Sequence, residues 1–519
     1  HAERLRCFPG IRRWLYFLSV PTIMQMLLID YLLLGISILL LLSIAASKAS
    51  GRLGVPALLL FLLIGMLAGS EGPGGIYFAD PWLAQCLGIT ALIFILFDGG
   101  LQTKWKDIRP ILWRGFALST IGVMITAAIV GGLSFYLLDL PILEAMLLGA
   151  IVSATDAAAV FMVLRSSNVR LKGNLQPLLE LESGSNDPMA IFLTISLITY
   201  ISGEMTSVTG IIPSFAQEMA LGAVIGYLSG KAISRIINRI KLECEGLYPV
   251  LTISMMLLTY GLTCLLEGNG FLAVYLAGIT LGNTEFIHKR MLRRIHDSAA
   301  WLMQIVMFLA LGLLVFPNRL IPIASNGLLI SLVLMFLARP VSVFVCMIGS
   351  GLSFKEKVLV SWVGLKGAAP IILATFPLIA GLFQADRIFN FVFFIVLTSA
   401  LVQGSTISSL ARWLGLDAPQ RNESEFKIHC PAGVGFIEKI IELPVFDGAP
   451  AIGKRIIDLG LSQDIVVAMI KRADDFIIPS GSTILEQGDI LFALSESDDP
   501  EHLSSLRSWL ADTQEEKAS

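Results

Sequence analysis

Long apolar stretches follow one another along the chain between residues 26 and 415. Most run for about 18 to 25 residues, the length that an α-helix needs to cross the hydrocarbon core of a bilayer. We place them at 26–46, 54–70, 84–103, 112–137, 141–164, 178–201, 210–234, 247–266, 270–284, 299–317, 324–349, 357–381 and 388–411. The pattern predicts an all-α polytopic membrane domain with about thirteen transmembrane helices.

The loops between these stretches alternate between loops rich in lysine and arginine and loops that contain almost none. The cationic loops carry Lys48, Arg52, Lys104, Lys106, Arg109, Arg114, Arg165, Arg170, Lys172, Lys231, Arg235, Arg239, Lys241, Lys289, Arg290, Arg293, Arg294, Lys355 and Lys357. The only basic residues in the other loops are Arg319 and Arg387. Because lysine and arginine accumulate on the cytoplasmic side of a membrane, we expect the N-terminus outside and the C-terminus in the cytoplasm.

Residues 1–23 do not fit this distribution, because Arg4, Arg6, Arg12 and Arg13 would then lie outside. Met24 stands just before the first apolar stretch. We expect translation to start at Met24, residues 1–23 to be a non-native or disordered extension, and the transmembrane domain to span 24–415. A signal peptide is the alternative, but its apolar core at 17–20 is short and lacks a small-residue cleavage site.

The composition changes after Leu416. Residues 416–425 are polar and contain a proline, which predicts a linker. Over 426–519 we expect a small cytoplasmic α/β domain. Its strands are predicted at 465–470 and 490–494, and an amphipathic helix is predicted in 498–519.

The overall composition favours the same interpretation. The chain has 519 residues, of which 55% are hydrophobic and 15% are charged, whereas a soluble globular chain has about 25% charged residues. A net charge of -3 gives no basic face for nucleic acid. The six cysteines have neither metal-site nor disulfide spacing, and we expect no cofactor. No histidine lies in an apolar stretch, so we expect a carboxylate to carry any proton.

Charged residues inside the apolar stretches are the functional candidates, because an ionisable group is costly in a bilayer. Those that lie well within a stretch are Asp156, Glu182, Asp187, Arg339 and Lys366, and Asp98 is a sixth candidate. Asp98 stands near the end of its stretch. It is either an oxygen ligand or part of an ion funnel, or equally a cap at a helix end near the cytoplasm.

The densest polar group occupies residues 181–188. On a helix, Ser183 and Asp187 share one face, as do Glu182 and Asn186. Hydroxyl, amide and carboxylate oxygens suit a hard cation. A buried carboxylate that binds a proton or a cation, but not both, is the minimum device for exchange, and Asp187 is our candidate. The alternative is a helix-packing segment that contains a structural acid.

Two other segments interrupt their apolar stretches. Thr155 and Asp156 stand among small residues, and the segment 362–370 contains two glycines, Lys366 and a proline. Paired interruptions in the two halves of a transporter indicate inverted repeats with two unwound helices that cross near the midplane. Asp156 then balances a helix N-terminus of the partner segment, and Lys366 offsets the opposite, carbonyl end. Two ordinary kinked helices are the alternative.

Taken together, these segments resemble the monovalent cation/proton antiporter superfamily, in the bacterial branch that includes the NhaP-type proteins. The resemblance covers about residues 26–415 and rests on 155–156, 182–187, Arg339 and 362–367. It implies a homodimer in the bilayer of the bacterial inner membrane. It also implies a core domain that moves against a dimerisation domain.

The resemblance implies roles for single residues. Asp187 resembles the essential ion- and proton-binding acid of the family, with Ser183 and the backbone of Thr155 as further ligands and Asp98 as a candidate one. Asn186 and Asp187 resemble the Asn-Asp pair of electroneutral members. The resemblance implies a transporter rather than an enzyme, so no catalytic residue is expected.

Arg339 needs an anionic partner inside the membrane, and we pair it with Glu182. The pair would hold helices in register and leave Asp187 free, so we favour a structural role for it over a direct role in transport. The resemblance implies the same internal pair. Lys366 stands where many members carry arginine, and it keeps the charge but loses the planar fork of that side chain.

The tail resembles the C-terminal subdomain of potassium-conductance regulatory modules, in a match that runs from 442–448 through 488–491. Such modules bind small ligands, so a nucleotide or another small molecule is a candidate partner. The adjoining nucleotide-binding half is not evident, because 433–435 lacks the full glycine fingerprint.

We therefore expect a secondary antiporter that exchanges cytoplasmic K⁺ for external H⁺ and regulates ion content, volume and pH in the cell. The tail favours K⁺, and a Na⁺/H⁺ antiporter of the same fold is the first alternative. A K⁺ channel gated by the tail would need a TVGYG-like filter, which the sequence lacks. An intramembrane enzyme would need a metal site, a nucleophile elbow or a nucleotide loop, and none is recognisable.

Overall fold

The computed structural model describes residues 22–53, 56–167, 169–203, 211–418, 440–446, 449–459, 465–472 and 475–495. The proposed N-terminal extension up to residue 21, most of the linker, the segment 433–435 and the expected helix in 498–519 lie outside the described residues. The chain divides into two compact units between Glu423 and Ser424.

The first unit is built from α-helices. In chain order they are α1 (Thr22–Leu53), α2 (Ala57–Ala68), α3 (Pro81–Gln102), α4 (Trp105–Ile108), α5 (Leu112–Ala117), α6 (Val123–Leu138), α7 (Ile142–Ile151), α8 (Ala157–Ser166), α9 (Leu175–Ile201), α10 (Ile211–Arg239), α11 (Leu247–Leu265), α12 (Gly270–Gly282), α13 (Lys289–Leu314), α14 (Ala324–Val333), α15 (Arg339–Cys346), α16 (Phe354–Trp362), α17 (Ala368–Leu373), α18 (Thr375–Ile379) and α19 (Ala385–Trp413). π-Helical turns at Leu118–Gly122 and Leu334–Ala338 join α5 to α6 and α14 to α15.

Within the described residues, eight helical segments are long and apolar enough to cross a membrane. Shorter apolar helices at Ala57–Ala68, Ile142–Ile151, Gly270–Gly282 and Ala368–Ile379 accompany them. Together with the strands of the second unit, these helices confirm the predicted fold class. The number of membrane crossings stays a prediction.

Two of the predicted stretches are broken, where the sequence has its interruptions. The stretch 141–164 contains α7 and α8, which are separated by the non-helical residues 152–156. The stretch 357–381 contains α16, α17 and α18, with the non-helical residues 363–367 after α16. The side chain of Asp156 caps α8, since its Oδ1 accepts a hydrogen bond from Ala159 N at 3.0 Å.

Close backbone contacts fix α3 against α12. A Cβ atom added at Gly278 would lie 2.5 Å from the carbonyl oxygen of Phe97 and 3.1 Å from Leu101 N. Small residues permit such an approach, which any side chain would prevent. This packing places the last turn of α3, which carries Asp98, beside the ion site described below.

The predicted start of one helix in this unit is wrong. The sequence predicts a helix from residue 299, whereas α13 begins at Lys289, so the cationic segment 285–297 is largely helical. His296 therefore lies inside a helix and is buried. Its Nε2 lies 2.9 Å from Thr252 Oγ1, and its ring centroid lies 4.9 Å from that of Phe97.

The described part of the second unit contains a four-stranded antiparallel sheet in the order β1-β4-β2-β3. Its strands are β1 (Ile440–Pro444), β2 (Ile465–Arg472), β3 (Asp475–Ile477) and β4 (Ile490–Ser495). Strands β2 and β4 lie where strands were predicted. In the register of this pair, Ile470 faces Leu491, and both are buried in the small core of the unit.

Candidate ion-binding site

The two helix interruptions lie against each other. Asp156 N, at the end of the first interruption, donates a hydrogen bond of 2.8 Å to Leu365 O in the second. The backbone N–H of Asp156 is therefore hydrogen-bonded to the other unwound segment instead of to a carbonyl of its own helix, since a buried backbone group needs a partner. The predicted crossing of two unwound segments is present.

Charged side chains stand at the helix ends of this crossing. The carboxylate of Asp156 lies against Gly367, which directly precedes α17. Lys366 Nζ donates to Ser153 O at 3.1 Å, just beyond the last residue of α7. An acid at helix N-termini and a cation at a carbonyl end both complement the helix dipoles, so the crossing is electrostatically balanced.

We expect Gly367→Ala to disrupt the crossing, because an added Cβ atom would overlap the carboxylate of Asp156. Overpacking of this kind costs about 1–3 kcal/mol. The variant should therefore melt at a lower temperature in detergent, as measured by thermal unfolding of the purified protein. Gly132→Ala is the matched control, since no heavy atom lies within 4 Å of a Cβ atom there. A Gly367→Ala protein that melts like Gly132→Ala would contradict this account.

Helix α9 supplies the polar side chains that meet the first interruption. Ser183 Oγ donates to Thr155 O at 2.9 Å and accepts a hydrogen bond from Ala157 N at 3.0 Å. Asn186 Nδ2 donates to Thr155 Oγ1 at 2.6 Å. The predicted ligand residues are thus brought together, and Asn186 serves to hold Thr155 in place.

Asp187 lies on the same face of α9 as Ser183, one turn away. The residue is 6% exposed, and its Oδ1 has no hydrogen-bond partner within the described part of the chain. Asp156 and Lys366 act on it electrostatically. A buried carboxylate oxygen normally has a partner, so Asp187 has the vacant acceptor that a proton or a cation would use.

Asp187 lines a cavity of about 280 Å³. Its lining includes four of the predicted site residues, Asp98, Asp156, Ser183 and Asp187, whereas Thr155, Asn186, Glu182, Arg339 and Lys366 do not line it. Asp98 is buried, with Oδ2 accepting from Gln102 Nε2 at 2.6 Å and with Oδ1 lacking a partner among the described residues. Asp98 therefore shares the cavity of Asp187 and lies within α3 rather than capping it.

Glu182 and Arg339 form a buried ion pair between Oε1 and Nη1. Gly364 makes room for it, because a Cβ atom there would overlap the guanidinium of Arg339. Arg339 Nη2 also lies 3.5 Å from Val360 O. The pair thus joins α9, α15 and the second interruption, and it occupies a place outside the cavity of Asp187.

Comparison with known proteins identifies the arrangement. Residues 36–413 match the family described as sodium/hydrogen exchanger, transmembrane, and this range includes every candidate site residue. The chain belongs to the sodium/hydrogen exchanger family. Residues 440–507 match the TrkA-C domain. The resemblances that the sequence predicts for the membrane domain and for the tail are both confirmed.

Relatives in this exchanger family share most of their length with the chain. It is 36% identical over 480 residues to the K(+)/H(+) antiporter NhaP of Alkalimonas amylolytica, covering 92% of this chain and 83% of the relative. It is 39% identical to the K(+)/H(+) antiporter NhaP2 of Shewanella oneidensis, with coverages of 96% and 86%. The structure of the sodium proton antiporter MjNhaP1 from Methanocaldococcus jannaschii superposes with a TM-score of 0.64 at 27% identity, covering 74% of this chain and 99% of that one.

Several residues of this exchanger site are not recognised from sequence. Glu180, Asp297 and Gln304 also line the cavity. Glu180 is close to the predicted start of its stretch, and Asp297 is hidden among the basic residues of the segment 285–297. Only the helical bounds of α13 show that Asp297 lies one turn from the cavity residues Ala300 and Trp301.

A chain of hydrogen bonds behind the second interruption is also missed. Lys366 N donates to Ser399 Oγ at 3.1 Å, Ser399 Oγ donates to Gln403 Oε1 at 2.5 Å, and Gln403 Nε2 donates to Trp362 O at 2.9 Å. These bonds give hydrogen-bond partners to Trp362 O, at the end of α16, and to Lys366 N, within the second interruption. The signal in the sequence is the pair of polar residues Ser399 and Gln403, which are spaced four apart and so share one face of α19.

Proposed function

We propose that this chain exchanges cytoplasmic K⁺ for external H⁺, one for one, with Asp187 as the residue that binds either ion. The observation that carries the proposal is the buried carboxylate of Asp187, which lines a cavity beside two crossing helix interruptions and whose Oδ1 has no partner among the described residues. Cation/proton exchange is the activity of the family to which the chain belongs.

A single carboxylate is sufficient for this mechanism. When ionised, Asp187 attracts a cation, to which Ser183 Oγ and the carbonyl oxygen of Thr155 would add neutral oxygen ligands. When protonated, it is neutral and no longer attracts one. Each state of the site therefore carries one positive charge at most, and residue 186 is an asparagine that adds no second acid. This supports electroneutral exchange.

The choice of K⁺ rests on the relatives. Those that resemble this chain over nearly its whole length are named K(+)/H(+) antiporters, and the chain shares a TrkA-C domain with regulatory modules of K⁺ transport. A Na(+)/H(+) antiporter, NhaH of Halobacillus aidingensis, is 28% identical over 408 residues and covers 73% of the chain. Sodium is therefore the second candidate cation.

We further propose a homodimer in the bacterial inner membrane, with the cationic loops and the C-terminal domain in the cytoplasm. The positive-inside rule supports this orientation. We propose that the membrane domain spans 24–415, followed by a linker at 416–425 and a regulatory domain over 426–519. A nucleotide or another small molecule is the proposed ligand of that domain.

Proton release in everted membrane vesicles tests the function. Respiration acidifies the vesicles and quenches a pH dye, and added KCl should restore fluorescence equally with and without a voltage clamp. Vesicles from the same cells without this protein are the control. A response to NaCl alone would overturn K⁺ as the cation, and a response that depends on voltage would overturn electroneutral exchange.

A further inference from the structure

An apolar groove of about 510 Å³ lies on the membrane unit and shares no lining residue with the cavity of Asp187. It runs between the turn Leu334–Ala338, α15, α16 and the end of α19. Its lining includes Phe336, Pro340, Phe344, Val358, Trp362 and Trp413. A concave apolar site of this volume is large enough for a ligand the size of a drug molecule or one lipid chain.

The groove is preformed rather than a gap between loose side chains. The rings of Phe336 and Trp362 pack edge to face, with centroids 5.3 Å apart. Trp362 Nε1 donates to Thr406 Oγ1 at 2.9 Å, which fixes the indole against α19. An aromatic contact and a hydrogen bond therefore hold two lining side chains, Phe336 and Trp362, in place.

The groove opens towards the surroundings of the membrane unit. Phe336 is 60% exposed and Trp413 is 80% exposed, so large apolar side chains flank its mouth. Such side chains face hydrocarbon in a membrane protein, and tryptophan favours the interface with water. These surroundings favour a lipid over a water-soluble ligand.

Two lysines mark one end of the groove. Lys355 and Lys357 lie in the first turns of α16, and Lys357 directly precedes the lining residue Val358. Lys357 also stands one turn before Ser361, which lines the groove, and so shares its face of the helix. Neither lysine has an ion-pair partner among the described residues, and the neighbouring Glu356 is engaged in the capping box of Ser353.

We propose that the groove binds an acyl chain of an anionic phospholipid, whose phosphate-bearing headgroup is held by Lys355 and Lys357. The charge of the lysines complements the headgroup, and the aromatic lining complements the chain. Basic pockets between helices on the cytoplasmic side of membrane proteins recognise anionic lipids in this way. On the orientation proposed above, the lysines face the cytoplasmic leaflet.

Photolabelling of the full-length protein tests the proposal. The purified protein is stripped of lipid in detergent, incubated with phosphatidylglycerol or phosphatidylcholine carrying a diazirine in the acyl chain, irradiated and mapped by mass spectrometry. We expect phosphatidylglycerol to label α15, α16 and the end of α19 in preference to phosphatidylcholine. Lys355→Gln and Lys357→Gln should each lower that labelling about fivefold, whereas Lys104→Gln with Lys106→Gln should not.

A second variant addresses the groove itself. Ser409→Trp should fill it and abolish labelling there, while Leu258→Trp, at an exposed position of α11 away from the lining, should leave labelling intact. The lysine variants keep the test valid even if Ser409→Trp fails to fold. Equal labelling by the two lipids, or label spread evenly over the apolar surface, would overturn the proposal. Groove labelling that is unchanged in a folded Ser409→Trp protein would also overturn it.

Discussion

Asp187→Asn should abolish cation/proton exchange and leave the protein folded. The substitution keeps the size and polarity of the side chain but removes the group that can be either ionised or protonated. Since the residue is buried and its Oδ1 has no partner within the described residues, few structural contacts are lost. Dye dequenching in everted vesicles should fall to the level of vesicles that lack the protein, and the amount of protein in the membrane should match the wild type.

Asp386→Asn is the control for this experiment. Asp386 is largely exposed, and its nearest cationic atom, Nη1 of Arg319, is 3.8 Å away. An exposed pair of this kind contributes about 0–1 kcal/mol, so the variant should exchange ions normally. Exchange by Asp187→Asn at the wild-type rate would place the ion on another carboxylate, and Asp98 would then be the first to test.

The surroundings of Asp187 support the proposal that one carboxylate binds either of two ions. The crossing supplies charges of both signs, Asp156 and Lys366, and each of them is engaged with a helix end. The carboxylate of Asp187 forms no ion pair within the described residues, although Lys366 acts on it electrostatically. This arrangement supports the proposal that a proton or a cation neutralises Asp187.

The sequence predicts the helical fold well because the membrane imposes it. An apolar stretch in a bilayer must be helical to satisfy its backbone, so its length and its place in the chain nearly define the element. The same constraint makes the breaks at 152–156 and 363–367 recognisable, since glycine, proline and charged residues are costly there. The bounds are less accurate, and α13 extends about ten residues before the predicted start because its cationic first turns lower the mean hydropathy.

The site is predictable only in part. Asp156, Glu182, Asp187, Arg339 and Lys366 are conspicuous because a charge inside an apolar stretch has few harmless explanations. Glu180, Asp297, Ser399 and Gln403 escape recognition because they lie near the ends of stretches or resemble ordinary polar residues. Their roles depend on which helices lie side by side, and a single sequence does not contain that information.

Removing either partner of the buried pair should destabilise the protein strongly. Glu182 and Arg339 are both buried, so Glu182→Ala or Arg339→Ala leaves one charge without a partner in the interior. Breaking a buried pair in this way costs about 3–5 kcal/mol. Thermal unfolding of the purified variants in detergent should show a markedly lower melting temperature. Arg319→Ala, which breaks the exposed pair with Asp386, should change stability by less than about 1 kcal/mol.

The double variant Glu182→Leu with Arg339→Met separates the effect of the pair from that of an orphaned charge. It removes both charges at similar volume, and such replacements are often neutral or stabilising, so it should melt well above either single variant. If it also exchanges ions, the pair holds α9 and α15 together and takes no part in transport. If Glu182→Ala and Arg339→Ala instead melt like the wild type and fail to exchange ions, the pair belongs to the transport cycle. In that case the buried pair would act in the movement of α9, the helix that carries Asp187, rather than stabilise a single conformation of the protein.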